Sequence, residues 1–149
     1  MKIAIHNPEL VHVLLVEDSD SDAVLMYKSL EKYKLKPKME RVKDGEEAIA
    51  YLKKEGEFAN TDRPDIIFLD LNLPKVSGFD VLKFIRQDEL LSTIPVVILS
   101  ASASDQDVVK SYNLHANAYV TKPVDFKEFQ QAILTISDFW FTVVRIPHR

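Results

Sequence analysis

The sequence predicts an α/β fold, a doubly wound sandwich in which a five-stranded parallel sheet is covered on both faces by five helices. Two patterns predict it. Short apolar runs recur along the chain, and four of them close on a polar, chemically capable side chain. Between the runs lie stretches of helical apolar spacing about ten to fifteen residues long, the alternation expected of βαβ units.

Val11 to Val16 is almost continuously apolar and stops abruptly at Glu17-Asp18, as a strand buried on both faces does before its loop. Ala23, Met26, Tyr27 and Leu30 then share one helical face. Met39 to Val42 is a weaker strand, followed by a helix on Ala48, Ile49 and Leu52. Ile66 to Leu69 ends in Asp70, and Leu82 with Ile85 marks the next helix. Val96 to Leu99 ends in Ser100, and Val108, Val109 and Tyr112 mark the fourth helical face. Ala118 to Thr121 ends in Lys122-Pro123. The last helix starts at a capping box, Asp125 accepting from the backbone and Glu128 reaching back, and carries a core stripe of Phe126, Phe129, Ile133, Ile136 and Trp140.

The chain divides into an N-terminal arm (1–10), an α/β domain (11–136) and a C-terminal extension of the last helix with its tail (137–149). In that extension Phe139, Phe141, Val143, Val144 and Ile146 add more apolar surface than one helix face hides. They fold back over their own core or bury against a second copy, and the expectation is a homodimer through this region.

A length of 149 residues suits one domain, and 46% apolar with 28% charged residues suits a self-sufficient core. A net charge of −4 disfavours DNA or RNA binding by charge alone. Lys32, Lys34, Lys36 and Lys38 read most simply as a solvated helix end and turn. The absence of cysteine excludes disulfides, thiolate zinc sites and cysteine nucleophiles. No apolar run approaches a membrane span, so the expected location is the cytoplasm.

In an open parallel sheet, ligands bind outside the carboxyl ends of the strands, where the polar ends named above collect. Glu17, Asp18 and Asp70 would bring carboxylates together there, and two like charges about 4 Å apart repel by about 4 kcal/mol at an effective dielectric of about 20. A hard, oxygen-ligated cation such as Mg²⁺ suits such a set, with Lys122 as a second positive charge and Ser100 as a hydroxyl donor to anionic oxygen. These groups are suited to handling a phosphoryl group.

The order Glu17-Asp18, Asp70-Leu71-Asn72-Leu73-Pro74 with Gly78, Ser100-Ala101 and Tyr119-Val120-Thr121-Lys122-Pro123 resembles response-regulator receiver domains over about residues 11 to 136. The resemblance implies a flavodoxin-like topology and a phosphoacceptor at Asp70. It also implies Mg²⁺ held by Glu17, Asp18, Asp70 and the backbone carbonyl of Asn72. Lys122 and Ser100 would contact the phosphoryl group, Ser100 and Tyr119 would form the switch, and the bond before Pro123 would be cis. His115 to Tyr119 and the tail from Asp138 to Pro147 resemble stand-alone receivers that partner phytochrome-type sensor histidine kinases. The partners so implied are such a kinase and a downstream phosphotransfer or effector protein. His115 departs from the glycine many receivers carry, which predicts a different local loop. Glu17 for aspartate and Ser100 for threonine keep the required groups.

Bland and rival readings stand beside these. Asp18 to Asp22 opens like a calcium loop, but Ala23 and Ser29 occupy the positions that need glycine and glutamate. Asp20 and Asp22 read as helix-start acids, Asp20 as the cap. Lys122, Ser100 and Tyr119 each read singly as a loop lysine, a turn residue and packing. His6, His12, His115 and His148 lack ligand spacing. The rival functions are a phosphorylation-independent interaction module and a haloacid-dehalogenase-like phosphatase; the latter needs an acid where Asn72 stands. A flavin domain lacks its phosphate loop. The expected protein is a switch and not an enzyme.

Overall fold

The computed structural model describes residues 11–32, 37–144 and 146–147; the predicted arm and Lys34, Lys36, His6 and His148 lie outside them. Strands β1 (His12–Val16), β2 (Lys38–Val42), β3 (Ile66–Leu69), β4 (Val96–Ser100) and β5 (Ala118–Thr121) pair in parallel in the order β2-β1-β3-β4-β5. Helices α1 (Asp20–Leu30), α2 (Gly45–Lys53), α3 (Gly78–Gln87), α4 (Asp105–Asn113) and α5 (Phe126–Asp138) connect them.

The strand alternation sorts the core into two layers. Leu14, Val16, Ile67, Leu69, Val96 and Ile98 meet Ala48 and Leu52 of α2 and Val81, Leu82 and Ile85 of α3. Val13, Leu15, Ile66, Phe68, Val97 and Leu99 face the other way, against Ala23, Met26 and Leu30 of α1 and Phe129 and Ile133 of α5. Strands buried on both faces account for their uninterrupted apolar runs.

Several helical readings need correction. Tyr27, Val109 and Tyr112 are partly solvent-exposed, and Ser111 is the buried residue of α4 among those described. Phe126 is exposed too. The cap of α1 is Ser19, whose extended backbone (φ −81°, ψ 114°) lets Oγ accept from Asp22 N at 3.3 Å; Asp20 is drawn off to Arg41, 2.9 Å away. At α5, Asp125 Oδ1 accepts from Glu128 N at 3.0 Å.

Beyond Asp138 the chain continues as a π-helical turn, Phe139–Val143. Its wider winding turns Phe141 fully into the α1–α5 layer, and Ile146 is buried as well. These two side chains fold back on their own domain, while Phe139 remains half-exposed.

His115 keeps the left-handed backbone that a glycine would take, φ 66°. Arg86 holds this strained turn: its Nε donates to His115 O at 2.9 Å and its Nη2 to Asn117 Oδ1 at 2.8 Å. Those bonds offset the cost of about 1–2 kcal/mol that a Cβ carries in this region.

Candidate functional site

Strand order reverses between β1 and β3, so the crevice at their carboxyl ends is the ligand position this topology favours. The chain turns out of β1 at Glu17, which is buried, and out of β3 at Asp70, also buried. Glu17 Oε2 accepts from Ser19 N at 3.2 Å, and Arg41 Nε donates to the Glu17 carbonyl at 2.8 Å, fixing the acidic turn from both sides.

Glycine makes the acceptor loop possible. A Cβ on Gly78 would lie 2.3 Å from the Asp70 carbonyl oxygen and 2.5 Å from Leu71 Cα. The closeness lets Gly78 N donate to Leu71 O at 3.0 Å, folding the loop after β3 back against α3. Asp70 Oδ1 in turn accepts from Asn72 N at 3.1 Å.

Lys122 reaches across from the end of β5. Its ammonium donates to Glu17 Oε1 at 2.5 Å, Asp22 Oδ2 at 2.9 Å and Asp70 Oδ2 at 3.0 Å. Burial pulls its pKa down, but the bonds to Glu17 and Asp22 and the field of Asp70 overcome this and hold it above the usual lysine value. Burial pushes Glu17 up to about 7 against the pull of Lys122. Asp22, predicted only as a helix-start acid, is therefore part of the site. No local sequence signal marks this role, because its partner Lys122 lies 100 residues further along the chain.

Ligand oxygens of Glu17, Asp18 and Asp70 lie within 4.8 Å of one another, and Asp18 is exposed. Three carboxylates with one open side fit a hard cation that keeps part of its water shell. Ser100 is fully buried at the end of β4, and its Oγ accepts from Ser102 N at 3.3 Å. Ser102 is a junction: its Oγ donates to Asp107 Oδ2 at 2.6 Å, and its carbonyl accepts from the Tyr119 hydroxyl at 2.8 Å. Sequence reasoning named Ser100 and Tyr119 but not the bonds that join them through Ser102. The Lys122–Pro123 bond is trans, since the described residues contain no cis peptide. Trans is the isomer an X–Pro bond prefers by about 0.5–1 kcal/mol, and Val124 just beyond is wholly exposed, with no contact to demand the other.

Residues 13–134 match the response regulator receiver domain family. The chain belongs to that family. Receivers are in general signalling modules, and this one is related to those of phytochrome systems. The response regulator Rcp1 of Synechocystis sp. is 41% identical over 141 residues, 95% of each chain. The structure of the phosphorylated cyanobacterial phytochrome response regulator RcpA superposes with a TM-score of 0.91 at 42% identity, over 93% of this chain and 99% of that one. The Mn²⁺-bound form of Rcp1 gives 0.90 at 40% identity, over 93% and 99%. Among the described residues no helix is long and apolar enough to cross a membrane.

Proposed function

We propose that this receiver accepts a phosphoryl group on Asp70 from a sensor histidine kinase of phytochrome type and signals by phosphorylation-dependent binding. The carrying observation is the Lys122 ammonium 3.0 Å from Asp70 Oδ2, beside three acids whose oxygens converge. Glu17, Asp18, Asp70 and the Asn72 carbonyl are the proposed ligands of Mg²⁺; the Mn²⁺-bound state of Rcp1 supports a divalent cation in this family. Bound there, the cation would neutralise charge on the acids and on incoming phosphoryl oxygens.

An Asp70 carboxylate oxygen bonds to phosphorus as the bond to the donor's imidazole nitrogen breaks, and Lys122 clamps the transferred oxygens. Ser100 then donates its hydroxyl to a phosphoryl oxygen. Because Ser102 links Ser100 to Tyr119, that movement reaches the surface around α4. Asn72, two residues beyond the acceptor, supplies no acid for turnover, so the protein acts as a switch rather than as an enzyme on a separate substrate. Its proposed location is the cytoplasm. Its output passes to a downstream phosphotransfer or effector protein, without DNA or membrane binding. Half-exposed Phe139, edge-on to Trp140 at 5.6 Å, supports a homodimer through the C-terminal region.

Acetyl phosphate with Mg²⁺, read by intact mass and sedimentation, tests this. A single phosphoryl adduct on wild type, absent without Mg²⁺ and absent in Asp70→Asn, is expected. No adduct from acetyl phosphate or from a panel of phosphorylated histidine kinases overturns it in favour of a phosphorylation-independent module.

A further inference from the structure

Asp22 has a task that the acceptor chemistry alone does not assign. An ammonium has three hydrogens, and Lys122 spends all of them on carboxylates: Glu17, Asp22 and Asp70. Two of these, Glu17 and Asp70, also belong to the trio whose oxygens converge on the cation position; Asp22 does not. A cation drawn to Glu17 therefore competes with Lys122 for the same carboxylate. Lys122 is almost fully buried, and a buried ammonium that loses a partner carries a desolvation cost that nothing repays. Asp22 is the one carboxylate bonded to Lys122 that is neither the acceptor nor a member of that trio.

The local structure builds Asp22 into this position. Ser19 N donates to Glu17 Oε2, and Ser19 Oγ accepts from Asp22 N at 3.3 Å, so one capping residue sets both anions around the ammonium. Asp22 is also partly solvent-accessible, at 28% for its side chain, against 2% for Glu17. Its charge is cheaper to keep when the cluster rearranges.

We propose that Asp22 is a positioning residue that takes up the Lys122 ammonium when a divalent cation claims Glu17, keeping Lys122 beside Asp70 while the metal enters. The inference rests on the cation reading of the site and adds an exchange of partners to it. Without Asp22, Lys122 stays on Glu17 and the cation is resisted.

Calorimetric titration with Mg²⁺ alone tests it in wild type, Asp22→Asn, Lys122→Met and the double variant. Asp22→Asn is expected to weaken Mg²⁺ binding about tenfold, the size typical of losing an outer-shell partner. The same substitution made in Lys122→Met should change affinity less than about twofold, because the ammonium it serves is gone. Asp22→Glu, which keeps the charge, should restore most of the affinity and guards against a folding defect in the asparagine variant. An equal loss in both backgrounds would mean that Asp22 acts only as a distant charge and overturns the proposal, as would unchanged affinity in Asp22→Asn. A wild type that takes up no Mg²⁺ removes the cation reading itself, and this inference with it.

Discussion

Ser137 on α5 is fully buried, and its hydroxyl has no hydrogen-bond partner. It sits among Met26, Phe68, Val97, Leu99 and Ile133, with no space for a water molecule. An unpaired buried hydroxyl costs free energy that a methyl does not, so Ser137→Ala should stabilise the fold by about 1 kcal/mol. An upward shift of the urea midpoint at unchanged slope checks it. His12 carries a pH dependence. Its Nε2 lies 3.0 Å from the Tyr51 hydroxyl and 3.7 Å from Glu40, and burial, helped by Lys38, holds its pKa below 6.5 despite Glu40 and Asp65. The unfolded chain therefore takes up a proton before the folded one does. The contribution of His12 is complete above about pH 6.5 and is lost as pH falls below it. Glu17, raised to about 7, acts with the opposite sign, its contribution shrinking as pH rises through that value. The comparison with His12→Phe isolates the imidazole: unfolding free energy measured across this range should fall less steeply on acidification in the variant. At this scale the strand-end residues were legible because each stands where an apolar run stops. Asp22 was not, because a second role for a helix-start acid appears only when β5 brings Lys122 across the sheet.

The α4–β5 turn shows what an element asks of one residue. His115 holds φ 66° under the grip of Arg86, which also donates through Nη1 to Ile94 O at 2.8 Å and Ser92 O at 3.1 Å. His115→Gly removes the steric cost but adds freedom to the unfolded chain, so a net gain of about 0.5 kcal/mol is expected. His115→Val, β-branched at positive φ, should lose about 1–2 kcal/mol, both read from thermal melts. The sequence showed the missing glycine, but Arg86 was invisible as its compensation because it acts from α3, 29 residues away. The tail was half legible for a similar reason. Its excess of apolar side chains was plain, but their direction depends on the π-helical turn that points Phe141 into the core.

The whole molecule carries its most strained electrostatics at one edge of the sheet. The overall pattern was legible because two-sided burial writes itself as continuous apolar strands, and the polar ends of β1, β3, β4 and β5 then share an edge by topology alone. That edge couples ligand binding to global stability. Glu17, Asp18 and Asp70 stand close together with a single ammonium among them, so the folded state holds their mutual repulsion and the unfolded chain disperses it. A divalent cation binds the assembled carboxylates far better than the dispersed ones, and by mass action the fold gains RT ln(1 + [Mg²⁺]/Kd). At a free Mg²⁺ concentration about a hundred times Kd the gain is about 2.7 kcal/mol. Thermal unfolding of the wild type should therefore move upward with Mg²⁺ and keep rising with the logarithm of its concentration. Asp70→Asn removes one ligand and one repulsive charge together. Its melting temperature should respond less to Mg²⁺ than that of the wild type. Parallel Mg²⁺ responses in the two proteins would place the cation away from Asp70 and sever the link between fold stability and the acceptor.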